Sequence, residues 1–235
     1  MKKAGIRYPK LYKDPKKIDR LVIVKAAEAI RSYERSFFFA HSYADYQKKA
    51  KTLIKDGSIT SQGLKKAVIE EYVLGTSVNF NFFYSPLKKR LELLGTDARR
   101  ATNISGLVNL PASEQVEVLK HVKLQYIEAG HINCTVKESI LEKAFVLGEK
   151  LVFLLKKEFS PGLIGPFALQ TMYVPGPPKD ELVTFDLSLR MPGSPGIMFT
   201  PYSDYLFEKS VSIGERVAME IKLAIEQGKL EKIVT

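Results

Sequence analysis

The sequence is poor in the residues that build covalent cross-links and metal centres. Its 235 residues include one cysteine, Cys134, no tryptophan and three histidines. A single cysteine excludes an internal disulfide and a cysteine-built zinc site, and it fits a reducing cytoplasm. His41, His121 and His131 show neither HxxxH nor HExxH spacing, which argues against a histidine metal centre.

Long hydrophobic runs are also missing. No stretch approaches the roughly 18 consecutive apolar residues that a membrane span needs, so we expect no association with a membrane. The first ten residues, MKKAGIRYPK, have basic residues but no apolar core of the kind found in secretory signals. The expected location is therefore the cytoplasm.

Basic residues are concentrated in the first third of the chain. The whole sequence has 36 Lys and Arg against 26 Asp and Glu, a formal net charge of +10. Residues 1–66 hold 17 basic and 6 acidic residues, a net of +11, whereas residues 67–235 hold 19 and 20, a net of −1. This local basic surface favours a polyphosphate or an acidic partner. The alternative is a lysine-rich surface that contacts only solvent.

The order of short apolar runs and amphipathic segments predicts an α+β chain. Helices do not alternate with strands as in βαβ units, so we expect them to cover antiparallel sheets. Residues 97–135 are expected to be mixed and rich in loops, and the connection AAEAIRSYER (26–35) contains no glycine. Strands are predicted at 21–25, 36–40, 68–73, 77–85, 90–96, 164–173 and 182–190, and helices at 42–56, 137–158 and from Ser212, with Gly228 at the expected end.

The segment SVNFNFFYS (77–85) alternates in polarity. Val78, Phe80 and Phe82 are expected on one buried face of a strand. Asn79 and Asn81 are expected on the other face, which makes the strand half-buried.

Two polar residues in the last predicted strand pair suggest a metal site. Gln170 and Asp186 lie in otherwise apolar strands joined by the loop PGPPKDE, so the strands are expected to pair. An amide oxygen and a carboxylate suit magnesium, and Arg190, four residues after Asp186, is expected on the same face, where it could contact phosphate. The alternative is that both are ordinary solvent-facing residues of a hairpin.

A second set of candidates lies in the basic third. Lys25 ends the apolar run LVIVK, and a lysine at a strand end reaches phosphate as a flexible point charge. Glu70 and Glu71 lie in strand 68–73, where an exposed backbone edge could bind adenine. The alternatives are a surface lysine and a sheet edge protected by charge.

The sequence resembles the archaeal formate-dependent FAICAR synthetases, purine-biosynthesis ligases of the ATP-grasp superfamily. The match runs from Lys2 to Thr235 and corresponds to the C-terminal two-thirds of that family. The residues that carry it are AGIRYPKLYKDPKKIDRLVIVK (4–25), IEEYVLGT (69–76), FYSPLK (83–88), ELLGTDARRATNISGLV (92–108), PGLIGPFALQ (161–170) and SIGERVAMEIKLAI (212–225).

The resemblance implies an ATP-grasp fold with a small lobe over residues 15–75 and a large lobe over 76–235. It implies that formate is joined to the amine of the ribonucleotide AICAR with ATP and Mg²⁺ or Mn²⁺, through formyl phosphate. The resemblance implies that Lys25 contacts phosphate, that Glu70, Glu71 and Val73 bind adenine, and that Asn103 binds the nucleotide substrate. It implies metal binding for Gln170 and for Asp186, and the family has a glutamate at the position of Asp186. It implies a catalytic role for Arg190.

The sequence is therefore compatible with three functions. The first is an ATP-dependent carbon–nitrogen ligase, complete or split. The second is a non-catalytic paralogue that acts as a structural or regulatory partner of a full-length synthetase, and in either case a homo-oligomer or such a partnership is expected. The third is nucleic-acid binding with Phe37, Phe38 and Phe39 as stacking platforms. It is the weakest, because a run of Phe in a strand is more often core, so no nucleic-acid partner is expected.

Overall fold

The computed structural model describes residues 1–27, 37–122, 128–176 and 178–234, without the side chains of 102–104. Most of the predicted connection 26–35 lies outside these ranges. In the described part the helices are α1 (Tyr43–Lys55), α2 (Ser61–Lys65), α3 (Thr102–Leu107), α4 (Ala112–Val118), α5 (Glu138–Glu158), α6 (Asp204–Phe207) and α7 (Ile213–Glu226). The strands are β1 (Leu11–Tyr12), β2 (Val22–Lys25), β3 (Phe37–Ala40), β4 (Val68–Glu71), β5 (Thr76–Ser85), β6 (Arg90–Ala101), β7 (Glu128–Asn133), β8 (Gly165–Val174) and β9 (Glu181–Ser188).

The chain forms two compact units. The first consists of Met1–Tyr8, Gly75–Ala101 and Glu128–Thr235, and the second of Pro9–Leu74 and Thr102–Ile127. The division into lobes over 15–75 and 76–235 stays a prediction. Among the described residues, no helix is long and apolar enough to cross a membrane.

The second unit contains an antiparallel sheet in the order β1-β4-β2-β3. Val22 and Val24 of β2 and Phe38 of β3 are buried on the face that packs against Ala50 of α1. Helix α1 begins as predicted, because the Ser42 side chain accepts a hydrogen bond from the backbone of Asp45. The strand and helix predictions for this region are therefore confirmed, with ends shifted by one or two residues.

Strand β4 has a different place in the sheet from the one expected. It pairs with β1 on one side and with β2 on the other, so it has no exposed edge. It also ends at Glu71, two residues before the predicted end. The sequence interpretation missed this because the two-residue strand β1 carries too short a pattern to be recognised.

The first unit contains an antiparallel sheet in the order β7-β6-β5-β8-β9. Phe80, Phe82 and Phe167 pack with Ala144 and other residues of α5 on one face. The opposite face is covered by α7 and by the 3-10 segment Pro195–Phe199, where Phe83 and Leu94 pack against Ile197 and Ile213. Both faces of this sheet are therefore buried along much of β5 and β6.

The helix α7 is attached to the sheet by a buried cluster of charges. The guanidinium of Arg216 binds Glu92 of β6, with 2.5 Å between Nε and Oε2, and Glu220, with 2.8 Å between Nη2 and Oε2. Ser85 donates to the other oxygen of Glu220 at 2.7 Å. The Arg216 side chain is 1% exposed and lies 4.2 Å from the ring centroid of Phe83. Each charge in this cluster is thus paired, as burial requires.

The region predicted as mixed differs most from expectation. Strand β6 continues to Ala101 rather than ending at residue 96, and it pairs with β7, which was not predicted. Strand β9 ends at Ser188, so the strand predicted to run to residue 190 is shorter. The two long helices agree with the prediction, and Ser212 caps α7 by accepting from the backbone of Glu215.

We predict that Arg216→Met destabilises the protein by about 3–5 kcal/mol, because it leaves two buried carboxylates without their cation. The control is Lys222→Met on the same helix, whose side chain is 80% exposed and which should change stability by less than about 0.5 kcal/mol. Urea unfolding followed by circular dichroism measures both. A loss below about 1 kcal/mol for Arg216→Met would contradict the prediction.

Candidate functional site

A row of polar residues crosses the five-stranded sheet. The register places Asn133 opposite Asp97, Asp97 opposite Asn79, Asn79 opposite Gln170 and Gln170 opposite Asp186. Residues directly opposite each other in an antiparallel sheet project from the same face, with about 4.5–5.5 Å between their Cβ atoms. The five side chains therefore lie side by side, on the face turned away from α5.

Asp97, the second residue of this row, is 1% exposed. Its carboxylate accepts from Nδ2 of Asn79 at 2.9 Å and from Nδ2 of Asn81 at 2.6 Å. It also bonds to Nδ1 of His131, whose Nε2 lies 2.9 Å from Oε1 of Glu128. Three donors on one carboxylate compensate for its burial. Asn79 and Asn81 are buried, so the prediction that they lie on an exposed face is wrong.

The 3-10 segment after β9 packs closely on this part of the row. A Cβ atom at Gly95 would lie 2.5 Å from the backbone oxygen of Ile197, and one at Gly196 would lie 2.5 Å from the amide of Asn133. Real Cβ contacts are not this short, so glycine is required at position 95, where the obstacle is backbone, whereas at position 196 the Asn133 side chain would have to shift. This contact covers the β6–β7 part of the face.

The thiol of Cys134, next to Asn133 of the row, is not activated as a nucleophile. Burial raises the pKa of the Cys134 thiol, and the charge of Asp97 acts in the same direction. A thiol with a raised pKa stays protonated at neutral pH, and the thiolate is the reactive form.

The structure brings Gln170 and Asp186 together, as the hairpin predicted. They are direct register partners next to a bulge in β9, where Phe185 has no partner in β8. Nε2 of Gln170 donates to Oγ of Ser188 at 3.2 Å, and Asp186 is exposed. Among the described residues, none forms a hydrogen bond or an ion pair with the Asp186 carboxylate. The metal-binding role of the two residues itself stays a prediction.

The donor set at this end of the row fits magnesium rather than zinc. In the described ranges, no group of three or more His, Cys, Asp or Glu is arranged to hold a metal ion. An amide oxygen and one carboxylate are hard ligands, and magnesium usually takes one or two carboxylates and completes its shell with water and substrate phosphate. Gln170 and Asp186 could hold such an ion only together with those additional ligands.

Arg190 does not lie on the strand. Because β9 ends at Ser188, the even spacing from Asp186 does not determine the side on which Arg190 projects. Its side chain is exposed, and Nη1 donates to the backbone oxygen of Met191 at 3.1 Å. The expectation that Arg190 lies on the strand is wrong, and its position on the same face as Asp186 and its catalytic role stay predictions.

In the second unit, Lys25 and Glu70 form an ion pair across β2 and β4. Their side chains are 27% and 15% exposed. They lie on the sheet face opposite the α1 core, the same face as Phe39, whose ring is 4.7 Å from that of Tyr72. The phosphate contact of Lys25 and the adenine contact of Glu70 stay predictions.

The remaining predicted adenine residues lie at the end of β4. The backbone N–H of Glu71 donates to Lys10 and its carboxylate accepts from the Lys10 N–H at 3.0 Å, so both are engaged. Val73 lies beyond the strand, outside the β-ladder. Nearby, the side chain of Lys10 holds the pKa of Asp19 well below its usual range. Asn103 lies in α3, and its side chain is not among those described.

Sequence reasoning missed Asp97 as part of the row, together with its partners Asn81 and His131. The alternation at 79 and 81 was visible, but a pattern of period two cannot tell which of two faces is covered. Asp97 and His131 lie in a segment interpreted as mixed, so their pairing across β6 and β7 had no detectable signal.

Comparisons with known proteins agree with the fold and the resemblance. Residues 45–235 match a protein family described as a domain of unknown function, DUF1297. The 5-formaminoimidazole-4-carboxamide-1-(beta)-D-ribofuranosyl 5'-monophosphate synthetase of Methanocaldococcus jannaschii is 40% identical over 237 residues, covering 100% of this chain and 64% of that protein. The chain thus spans slightly less than two thirds of this relative.

Solved structures show the same architecture. The IMP biosynthesis protein PurP from Thermococcus kodakaraensis superimposes with a TM-score of 0.68 at 26% identity, over 99% of this chain and 64% of that one. Carboxyaminoimidazole ribonucleotide synthase from Aspergillus clavatus, solved with ATP, gives a TM-score of 0.50 at 12% identity, over 91% of this chain and 50% of that one. The predicted α+β ATP-grasp fold is confirmed, and so is the resemblance to FAICAR synthetases.

We predict that Asp97→Asn lowers the free energy of unfolding by about 1–3 kcal/mol, because buried donors then face an amide nitrogen instead of a carboxylate oxygen. Asp186→Asn is the matched control in the same row, and its change should stay within about 0.5 kcal/mol since the residue is exposed. Chemical denaturation of the two variants measures the difference. Equal stability of both would show that Asp97 does not organise the row.

Proposed function

Because the chain belongs to the DUF1297 family and is similar along its whole length to archaeal FAICAR synthetases, we propose that it carries the ATP-grasp part of such a ligase. The proposed reaction joins formate to the amine of AICAR in purine biosynthesis. The proposed cofactors are ATP and Mg²⁺, with Mn²⁺ as a substitute. The proposed location is the cytoplasm.

In this reaction the γ-phosphoryl group of ATP is transferred to a formate oxygen, which gives ADP and formyl phosphate. The amine then attacks the formyl carbon, the bond from that carbon to the phosphate oxygen breaks, and the amine loses a proton. A bound magnesium ion would neutralise charge on the transferred phosphoryl group. The task of the protein is to position the phosphates and to stabilise their charge.

The observation that carries the proposal is the placement of Gln170 directly opposite Asp186, with no described partner on the carboxylate. An exposed carboxylate beside an amide oxygen supports the metal role that the resemblance assigns to these two residues. Arg190, which is exposed beyond β9, is proposed to approach phosphate with its guanidinium.

The second unit supports the phosphate role of Lys25. Its ammonium is paired with Glu70 and is partly exposed, so a phosphate could reach it. Val73, outside the ladder, is a better candidate for backbone contact with adenine than Glu70 or Glu71, which are in the ladder. Asn103 is proposed to contact the ribonucleotide substrate.

We predict that Asp186→Asn weakens magnesium-dependent ATP binding by about tenfold or more, because the cation loses its one charged ligand. Calorimetric titration with ATP, with and without Mg²⁺, measures this. Asp204→Asn, which removes another exposed carboxylate of the same unit, serves as the control and should bind like the wild type. Binding unchanged in Asp186→Asn would remove the proposed metal site.

We predict that Lys25→Ala reduces the affinity for ATP in the presence of Mg²⁺ severalfold through loss of one charged phosphate contact, whereas Lys17→Ala, an exposed lysine of the same unit, has no effect. The wild-type affinity should be weaker than micromolar, because the glycine-free connection 26–35 lacks the residues that let backbone amides approach phosphate. Equal binding by both variants would contradict the assignment of Lys25, and submicromolar binding by the wild type would show that another segment replaces the connection.

The competing function is a non-catalytic paralogue that associates with a full-length synthetase. Formate- and AICAR-dependent release of ADP by the purified chain would support the ligase, alone or after addition of a separate domain. Nucleotide binding without turnover, together with binding to a full-length synthetase in sedimentation experiments, would support the paralogue. Self-association is proposed for either function.

A further inference from the structure

We propose that the side-chain oxygen of Asn79 is a further ligand for the divalent cation proposed at Gln170 and Asp186. The inference rests on the proposed function and names a residue in β5 that neither the sequence interpretation nor the comparisons assign. It follows from the orientation of two neighbouring amide groups in the polar row.

The orientation of Asn79 is determined by its partner. Nδ2 of Asn79 donates to Asp97 at 2.9 Å. A carboxylate can only accept, so the nitrogen of the amide must face β6. The amide is planar, with its oxygen on the other side of Cγ, so Oδ1 of Asn79 is directed away from Asp97. The strand on that other side is β8, and Gln170 is the residue directly opposite.

The amide of Gln170 turns its nitrogen toward β9. Its Nε2 donates to Oγ of Ser188 on β9 at 3.2 Å. Its Oε1 is therefore directed away from Ser188. The nitrogens of the two amides thus point in opposite directions, one to β6 and one to β9. Both amide oxygens therefore face the space above β5 and β8.

Both oxygens are available to a ligand. Among the described residues, none donates a hydrogen bond to Oδ1 of Asn79 or to Oε1 of Gln170. Neither oxygen is counted among the fully buried polar atoms without a partner, which are Oγ1 of Thr184 and Oγ of Ser194. Two unpartnered amide oxygens beside an exposed carboxylate form the type of donor set that hard divalent cations bind, and Asn79 keeps 7% of its surface exposed.

Asn81 makes a matched comparison possible. It donates to the same carboxylate as Asn79, at 2.6 Å, but it lies opposite Ala168 rather than Gln170. Its amide also donates to the backbone oxygen of Gly95 at 3.3 Å. Asn79→Ala and Asn81→Ala therefore each remove one donor to Asp97, and only Asn79→Ala also removes an oxygen next to Gln170.

The test measures binding of Mn²⁺ in the presence of ADP, with free Mn²⁺ followed by electron paramagnetic resonance. We expect Asn79→Ala to weaken Mn²⁺ binding by about tenfold or more, and Asn81→Ala to stay within about threefold of the wild type. Unfolding temperatures of both variants are recorded, so that a general loss of structure is recognised.

A second variant covers the case in which Asn79→Ala does not fold. Asn79→Asp keeps an oxygen at the ligand position but places it beside Asp97, so the two carboxylates repel until a cation binds. Its unfolding temperature should rise more with Mn²⁺ and ADP than that of the wild type, because ligand binding stabilises the folded state. No additional rise would overturn the assignment of Asn79.

The possible failures are distinguishable. Wild-type protein that binds no Mn²⁺ with ADP would overturn the proposed function and the cation site with it. Wild-type binding together with equal binding by Asn79→Ala and Asn81→Ala would overturn the role of Asn79 alone and leave Gln170 and Asp186 as the ligands.

Discussion

Burial of both faces of the five-stranded sheet is the constraint that shapes the first unit. Helix α5 covers one face with an apolar core, while α7 and the segment Pro195–Phe199 cover much of the other. Polar groups on the second face cannot rely on water, so each needs a partner within the protein. Arg216 satisfies this need by binding Glu92 and Glu220. Asp97 satisfies it with two asparagines and a histidine.

The same constraint explains why the polar row is saturated at one end and open at the other. At β6 and β7, the carboxylate of Asp97 has three partners and the 3-10 segment packs close to Asn133. At β9, the described residues offer Asp186 no partner and its side chain is exposed. A buried, fully bonded group makes the neighbouring amides rigid, and the exposed end can then receive a ligand with little reorganisation. The row therefore combines a structural half with a half suited to binding.

Most elements could be predicted from sequence because their signals are local. The Ser42 and Ser212 caps, the long apolar stripe of α5 and the pairing of β8 with β9 all follow from residues close together in the chain. The position of β4 inside its sheet and the burial of Asn81 could not be predicted. Both depend on which distant element covers a strand, and periodicity contains no information on this. The pair of Gln170 and Asp186 was found because a single loop joins their strands, whereas Asp97 and His131 come from strands separated by α3 and α4.

In the second unit, a nucleotide at Lys25 would have to compete with an existing interaction. The ammonium of Lys25 already binds Glu70, and neither side chain is fully exposed. A phosphate that took the place of the carboxylate would bring a second negative group close to Glu70, which opposes binding unless a cation accompanies the ligand. A free nucleotide therefore gains little at this lysine, whereas a nucleotide whose phosphates carry a divalent cation avoids most of that repulsion. The charge pair of the second unit would therefore favour the same type of ligand, a metal-bound polyphosphate, that is proposed for the oxygen donors of the polar row.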